Sequence, residues 1–386
     1  MTNAEILFSL LRFEMCETPI DKETKNLITP ELLPALYKLS KSHDMVHLVA
    51  DALDKNGLLP DGTEAKKRFL QQRSMAIYRY EQINYELEEI CRVLAEETIE
   101  HIPLKGSVIR QYYPEPWMRT SCDIDLLVRT EKVDKAASLL QEKLHYKNEG
   151  KGPHDISLFS ESGVHLELHY GTVEEGRAQN ANEILSHIWE TSEAENDACR
   201  RVLSDEMFYF YHIAHMAKHF ENGGCGIRPF LDIWILDEKI EHVQASCDEL
   251  LKQGGLLTFA ENARKLSKVW FLGETHTELT RELENFILQG GVYGTVENRV
   301  AVQQTKKGGK TRYLFKRIFM PYQELKAHYP VIKKHKWLTP VFQIVRLVKF
   351  LFKGDKKRSL HEIKENATLG EEKKLRTAEL LKKLEL

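Results

Sequence analysis

Six cysteines in 386 residues, none of them in a CxxC pair, leave no clustered set that could staple a small secreted fold or close a zinc site. They read as free thiols in a reducing compartment. With only 12 prolines and 21 glycines the chain has no collagen-like or linker-like composition. No apolar run approaches the roughly 18 residues that a membrane span needs. The N-terminus, MTNAEILFSLLRFEM, carries Glu5 and Glu14 and lacks both a basic leading segment and a small-residue cleavage site, so a cytoplasmic protein is expected. Net charge is also scarce, at −3. That small sum conceals a separation. Between Lys306 and Arg358 stand 16 Lys and Arg against two acids, Glu324 and Asp355, so this stretch carries +14 and the remainder −17.

What is present is an ordinary foldable composition, 42% apolar and 29% charged, in a chain long enough for two or three domains. Residues 1–97 read as a helical region. Thr29 and Pro30 are expected to cap and open a helix with apolar Leu32, Leu33, Leu36 and Leu39, a second helix should end near Gly57, and a long charged helix runs from Glu64 to about Glu97. Residues 98–195 change texture, to short strands alternating with helices. Ser121–Val128 reads as a strand, Glu131–Leu144 as an amphipathic helix, and Ile156–Ser160 with Val164–Tyr170 as a hairpin turning at Glu161, Ser162 and Gly163. Helical periodicity returns over 196–305, expected to complete a cleft, and over a basic region, 306–386. The fold class is therefore α+β, a small mixed-sheet core flanked by helical regions.

Chemistry gathers in the core. Alternation along Ser121–Val128 puts Asp123 and Asp125 on one face and Ile124, Leu126 and Val128 on the other. Two carboxylates so placed repel each other unless a cation intervenes, and a pair of Mg²⁺ ions is the common solution in phosphoryl chemistry. On the later strand, His165, Glu167 and His169 share a face, which makes Glu167 a candidate third carboxylate. Upstream, Lys105, Gly106 and Ser107 follow an apolar segment and open a short helix, an arrangement suited to phosphate.

The segment PLKGSVIRQYYPEPWMRTSCDIDLLVR, followed by a helix and GVHLELHY, resembles the uncharacterised bacterial nucleotidyltransferase family of the DNA polymerase beta-like superfamily. The resemblance covers residues 101–172 strongly, and HIAHMAKHF, RPFLDIWIL and PYQELKAHYP more weakly. It implies two-metal nucleotidyl transfer from an NTP, ATP being the first candidate, to an acceptor hydroxyl on a small molecule, protein or RNA. Asp123 and Asp125 would bridge two Mg²⁺ ions and Glu167 would hold the one that activates the acceptor. Gly106 and Ser107 would cradle the β- and γ-phosphates, with Lys105 or Arg119 supplying positive charge.

Blander readings stand beside these. His165 and His169 could be substrate contacts, but a strand-face histidine is better read as hydrogen-bonding a neighbour, and neither is read as a metal ligand. His212, His215 and His219 fall at a spacing compatible with zinc but have no carboxylate or cysteine partner, so packing or a phosphate contact is favoured. Arg119 could hold the Trp117 loop through an ion pair, and Asp232, in an apolar helix, needs a basic partner or a place in the cleft. The helix opening at Thr339 and Pro340 has Val341, Phe342, Val345, Val348 and Phe352 on one side and Arg346, Lys349 and Lys353 on others. It suits self-docking, an anionic membrane surface or RNA. Two further functions remain open: a non-catalytic scaffold keeping the fold, linked to envelope or polysaccharide synthesis, and a toxin that modifies transfer RNA.

Overall fold

A computed structural model describes residues 1–172, 179–195, 199–240, 243–307, 309–322, 325–326, 329, 331–353 and 364–386. Glu324, Asp355 and much of the PYQELKAHYP segment lie outside these residues. The chain divides into two compact units, Met1–Lys218 with Gly226–Val292, and His219–Cys225 with Tyr293–Leu386.

In the first unit, helices α1 (Asn3–Cys16), α2 (Lys22–Leu27), α3 (Leu33–Ser42), α4 (Val46–Lys55) and α5 (Glu64–Glu96) precede the sheet. α3 starts later than the sequence suggests. Thr29 and Pro30 sit in a turn whose Thr29 carbonyl accepts from Leu32 N–H at 3.0 Å, and the proline of the first helical turn is Pro34. α4 ends as expected, with Gly57 at φ +64° just beyond it. The Thr63 hydroxyl accepts from Lys66 N–H and caps the 33-residue α5.

The sheet has the order β1-β2-β5-β4-β3, from β1 (His101–Pro103), β2 (Asp123–Val128), β3 (Lys147–Lys151), β4 (Asp155–Phe159) and β5 (His165–His169). β2 and β5 run parallel and every other pair is antiparallel. The β4–β5 hairpin turns at the expected residues, with Gly163 at φ +85°, a conformation that a side chain would strain. Helix α6 (Gly106–Ile109) is a single turn that continues as a 3₁₀ turn, and α7 (Val133–Leu144) follows β2. β3, KNEGK, has no sequence signal: all five residues are exposed, and it belongs to the sheet through its backbone pairing with β4 alone.

One face of the sheet is sealed. Ile124, Leu126, Leu158, Leu166 and Leu168 pack against Ile83, Leu87, Ile90 and Leu94 of α5 and Ala136 and Leu140 of α7. The other face carries the polar side chains of β2 and β5. Helices α8 (Gln179–Ser186), α9 (Asp205–Glu221), α10 (Arg228–Lys239), α11 (Val243–Gln253), α12 (Leu257–Leu272) and α13 (Glu278–Leu288) follow, with a small ribbon, β6 (Ser192–Ala194) and β7 (Arg201–Leu203), before α9.

The second unit contains α14 (Val296–Lys307), α15 (Lys310–Ile318), α16 (Val331–Lys334), α17 (Thr339–Lys353) and α18 (Glu371–Lys383). α14 and α18 pack together. Leu369, just before α18, packs on Val300 and Ala301 of α14, and Lys373 of α18 pairs with Glu297 at 2.5 Å.

Because the sealed face anchors the strands, Leu166→Ala should remove about 3 kcal/mol of stability. A urea titration should show its midpoint well below that of the parent, while Lys147→Ala on exposed β3 leaves the midpoint in place.

Candidate active site

The parallel pairing sets Asp123 opposite His165 and Asp125 opposite Glu167. Strand alternation then turns all four, with His169, away from the apolar core. The structure thus brings together the three carboxylates read from the sequence. Two overlapping groups have metal-ligating atoms within 4.8 Å of one another: Asp123, His165 and Glu167, and Asp125, Glu167 and His169. Glu167 belongs to both. His165 is steered from β4, its Nε2 at 2.8 Å from Ser157 Oγ and its ring stacked on Phe159 at 4.4 Å.

Such a concentration of negative charge needs compensation, and the chain supplies it. Lys105 Nζ donates to Asp125 Oδ1 at 2.6 Å, and His169 Nε2 approaches the same oxygen at 2.8 Å and Glu167 Oε2 at 3.4 Å. Burial works to raise the Asp125 carboxyl, but the Lys105 ammonium and His169 together hold it well below the usual carboxylate range. Asp123 has no such ion pair among the described residues, and burial followed by the charge of Asp125 pushes it up. His169 is pushed up to about 9, because its bonds to Asp125 and Glu167 outweigh the effect of burial. Lys105 pays for its position in backbone conformation, at φ +48° and ψ −122°, a region that non-glycine residues rarely adopt.

Gly106 is explained by packing. A Cβ there would meet Ser121 Cβ at 3.2 Å, and Arg110 locks the same corner by donating to Gly106 O and Ser121 Oγ, both at 2.7 Å. Ser107 Oγ is buried and has no hydrogen-bond partner among the described residues, so it has capacity left for a ligand.

Arg119 does not join this group. Its Nε and Nη2 donate to the two oxygens of Asp232 on α10 at 2.7 and 2.8 Å, and its Nη1 donates to Thr120 O at 2.5 Å. Tyr113 donates to Asp232 at 2.6 Å. Arg119 is thus engaged in a buried ion pair, the alternative its sequence context also allowed, and Asp232 has its basic partner. Burial alone would raise that carboxyl; Arg119 and Tyr113 hold it below its ordinary value. The pair ties α10 to the segment that enters β2. His212 joins no metal-ligating group among the described residues; its Nε2 lies 3.1 Å from Pro229 O, and burial lowers its proton affinity.

The hydrogen bonds expected of His165 and His169 are present, but sequence reasoning misses that both rings also lie within ligating distance of the carboxylates. The signal for that was there, since both share the face of Glu167. The Lys105–Asp125 contact has no sequence signal, because 20 residues separate the partners.

These charges set two measurable outcomes. A His whose proton is held more tightly in the folded state than its ordinary 6.5 contributes stability that is complete below about that pH and lost as pH rises through about 9. In metal-free protein, melting curves should therefore fall between those values by an amount on the order of 2 kcal/mol, and His169→Gln should lack this slope. Asp232→Ala leaves the Arg119 charge buried and unpaired, and should cost about 3–5 kcal/mol in the same measurement.

No curated protein and no solved structure matches the chain. A family described as uncharacterised nucleotidyltransferase matches residues 30–272, which include every residue of the acidic cluster as well as Lys105, Ser107 and Asp232. The chain belongs to this nucleotidyltransferase family and is an enzyme of that class.

Proposed function

We propose that the enzyme moves a nucleoside monophosphate from an NTP, ATP in the first instance, to the hydroxyl group of an acceptor, with Mg²⁺ held by Asp123, Asp125 and Glu167. The observation that carries the reading is the register that puts Asp125 opposite Glu167 with Asp123 two residues away. A set of carboxylate oxygens is what a hard cation takes, and the unpartnered Ser107 Oγ is a donor suited to an acceptor such as a phosphate oxygen. When bound, Mg²⁺ would lower the pKa of the acceptor hydroxyl and offset charge on the α-phosphate and the departing pyrophosphate.

The remaining work belongs to the chain. Glu167 accepts the proton of the acceptor hydroxyl, whose oxygen forms a bond to the α-phosphorus as the bond to the β-phosphate oxygen breaks. Ser107 donates to a terminal phosphate, and Lys105, once released from Asp125, carries its positive charge to the same group. The Lys105–Asp125 contact also supports a second reading, a nucleotide-binding scaffold that keeps its carboxylates neutralised by its own cations and transfers nothing. We place the enzyme in the cytoplasm, where NTPs are available.

Incubation with α-³²P-labelled NTPs, Mg²⁺ and cell extract should label an acceptor, and Asp125→Asn should lower the rate by on the order of a hundredfold or more. Label transfer that is equal in the variant would overturn the two-metal assignment. Mg²⁺-dependent NTP binding by calorimetry with no transfer to any acceptor would favour the scaffold.

A further inference from the structure

Helix α17 is docked by the wrong side. At 100° per residue, Val341, Ile344, Val345 and Val348 fall within an arc of about 100°, while Gln343 and Arg346 lie across the helix. It is these polar residues that hold it. Gln343 accepts from Met320 N–H at 3.3 Å and donates to Met320 O at 2.5 Å, and Arg346 donates to Ile318 O. Phe342, beside the arc, packs on the Tyr329 ring at 4.8 Å, and Lys349 lies over the same ring at 5.3 Å.

The aliphatic arc itself faces water, with Ile344 63% exposed and Val341 and Val348 nearly half exposed. Just before the helix, Trp337 is 74% exposed. The Gln343 and Arg346 clips also hold the C-terminal end of α15, where Phe315 and Phe319 are exposed, their rings tilted against each other at 4.9 Å. Around these apolar groups stand exposed Lys333, Lys334, Lys336 and Lys349. Isolated surface leucines and valines need no explanation, but a contiguous apolar face rimmed by cations does.

We propose that this face of the second unit binds the surface of an anionic lipid bilayer, with α17 lying in the interfacial plane. The aliphatic arc enters the acyl boundary, Trp337 sits at headgroup level and the lysines meet lipid phosphates. Spanning is excluded for α17, since 15 residues reach about 22 Å against a core of about 30 Å, and no described helix is long and apolar enough to cross a membrane. A nucleic acid would use the cations but leave Ile344 and Val348 in water. A second copy would bring the same exposed Lys333, Lys334, Lys336 and Lys349 to the same face, cation against cation.

The test is flotation of the full-length protein with vesicles of phosphatidylcholine alone or with about one third phosphatidylglycerol. The protein should float with the anionic vesicles and not with the neutral ones, and the Trp337 contribution to fluorescence, obtained by difference from Trp337→Phe, should shift to the blue. Ile344→Asp with Val348→Asp should lower the bound fraction at least tenfold. Because both positions are exposed, the circular dichroism of this variant should match the parent. Lys333→Gln with Lys334→Gln should weaken binding about fivefold per charge and flatten its salt dependence. Absence of flotation at low salt, flotation unchanged by the aspartates, or an Ile344-dependent dimer in solution would overturn the proposal.

Discussion

Asp125 stands opposite Glu167 because β2 and β5 pair in parallel, and most of what the first unit does depends on that register. A shift of one residue would carry Ile124 and Leu166 to the open face and drive the carboxylates into the packing of α5 and α7. The apolar face therefore specifies the polar one. Burying Leu126, Leu166 and Leu168 under two helices fixes the strands well enough to hold Asp123 and Asp125 each within 4.8 Å of Glu167, which mutual repulsion would otherwise oppose. The residual repulsion is met locally. Lys105 and His169 converge on one oxygen of Asp125, and the unusual backbone of Lys105 is tolerated because its ammonium is anchored there.

Alternation makes this much legible in the amino-acid sequence. D-I-D-L-L-V and H-L-E-L-H each announce a strand with one apolar and one polar side, and the Gly163 turn announces the hairpin that carries the second. Relations across the chain are not legible in the same way. Arg119 and Asp232 are 113 residues apart, and the sequence offers each an ion pair without naming the partner; in the folded protein they pair with each other, and Tyr113 donates to Asp232. A phosphate contact is the reasonable reading of a cation near a carboxylate strand; nothing local to Arg119 signals that α10 delivers a buried acid to the same place. β3 is invisible for a different reason. Its five residues are all exposed and none is apolar, so no alternating apolar face marks the strand that its pairing with β4 creates.

The opposing charges of the chain acquire separate meanings. The acidic excess of the body includes a cluster that could hold a metal ion, and in the basic region α17 turns an apolar arc outward rather than inward. In both places the informative feature is a violation: carboxylates crowded together on one strand pair, and aliphatic side chains left in water.

The central question is whether the Asp123, Asp125 and Glu167 oxygens exchange their internal cation for external ones. A crystal structure grown with Mn²⁺ and a non-hydrolysable NTP, with anomalous scattering recorded at the manganese edge, measures this directly. The expected result is manganese between the three carboxylates, with Lys105 Nζ moved from Asp125 to the phosphates. Nucleotide bound without metal at these residues, and with the Lys105–Asp125 contact intact, would contradict it.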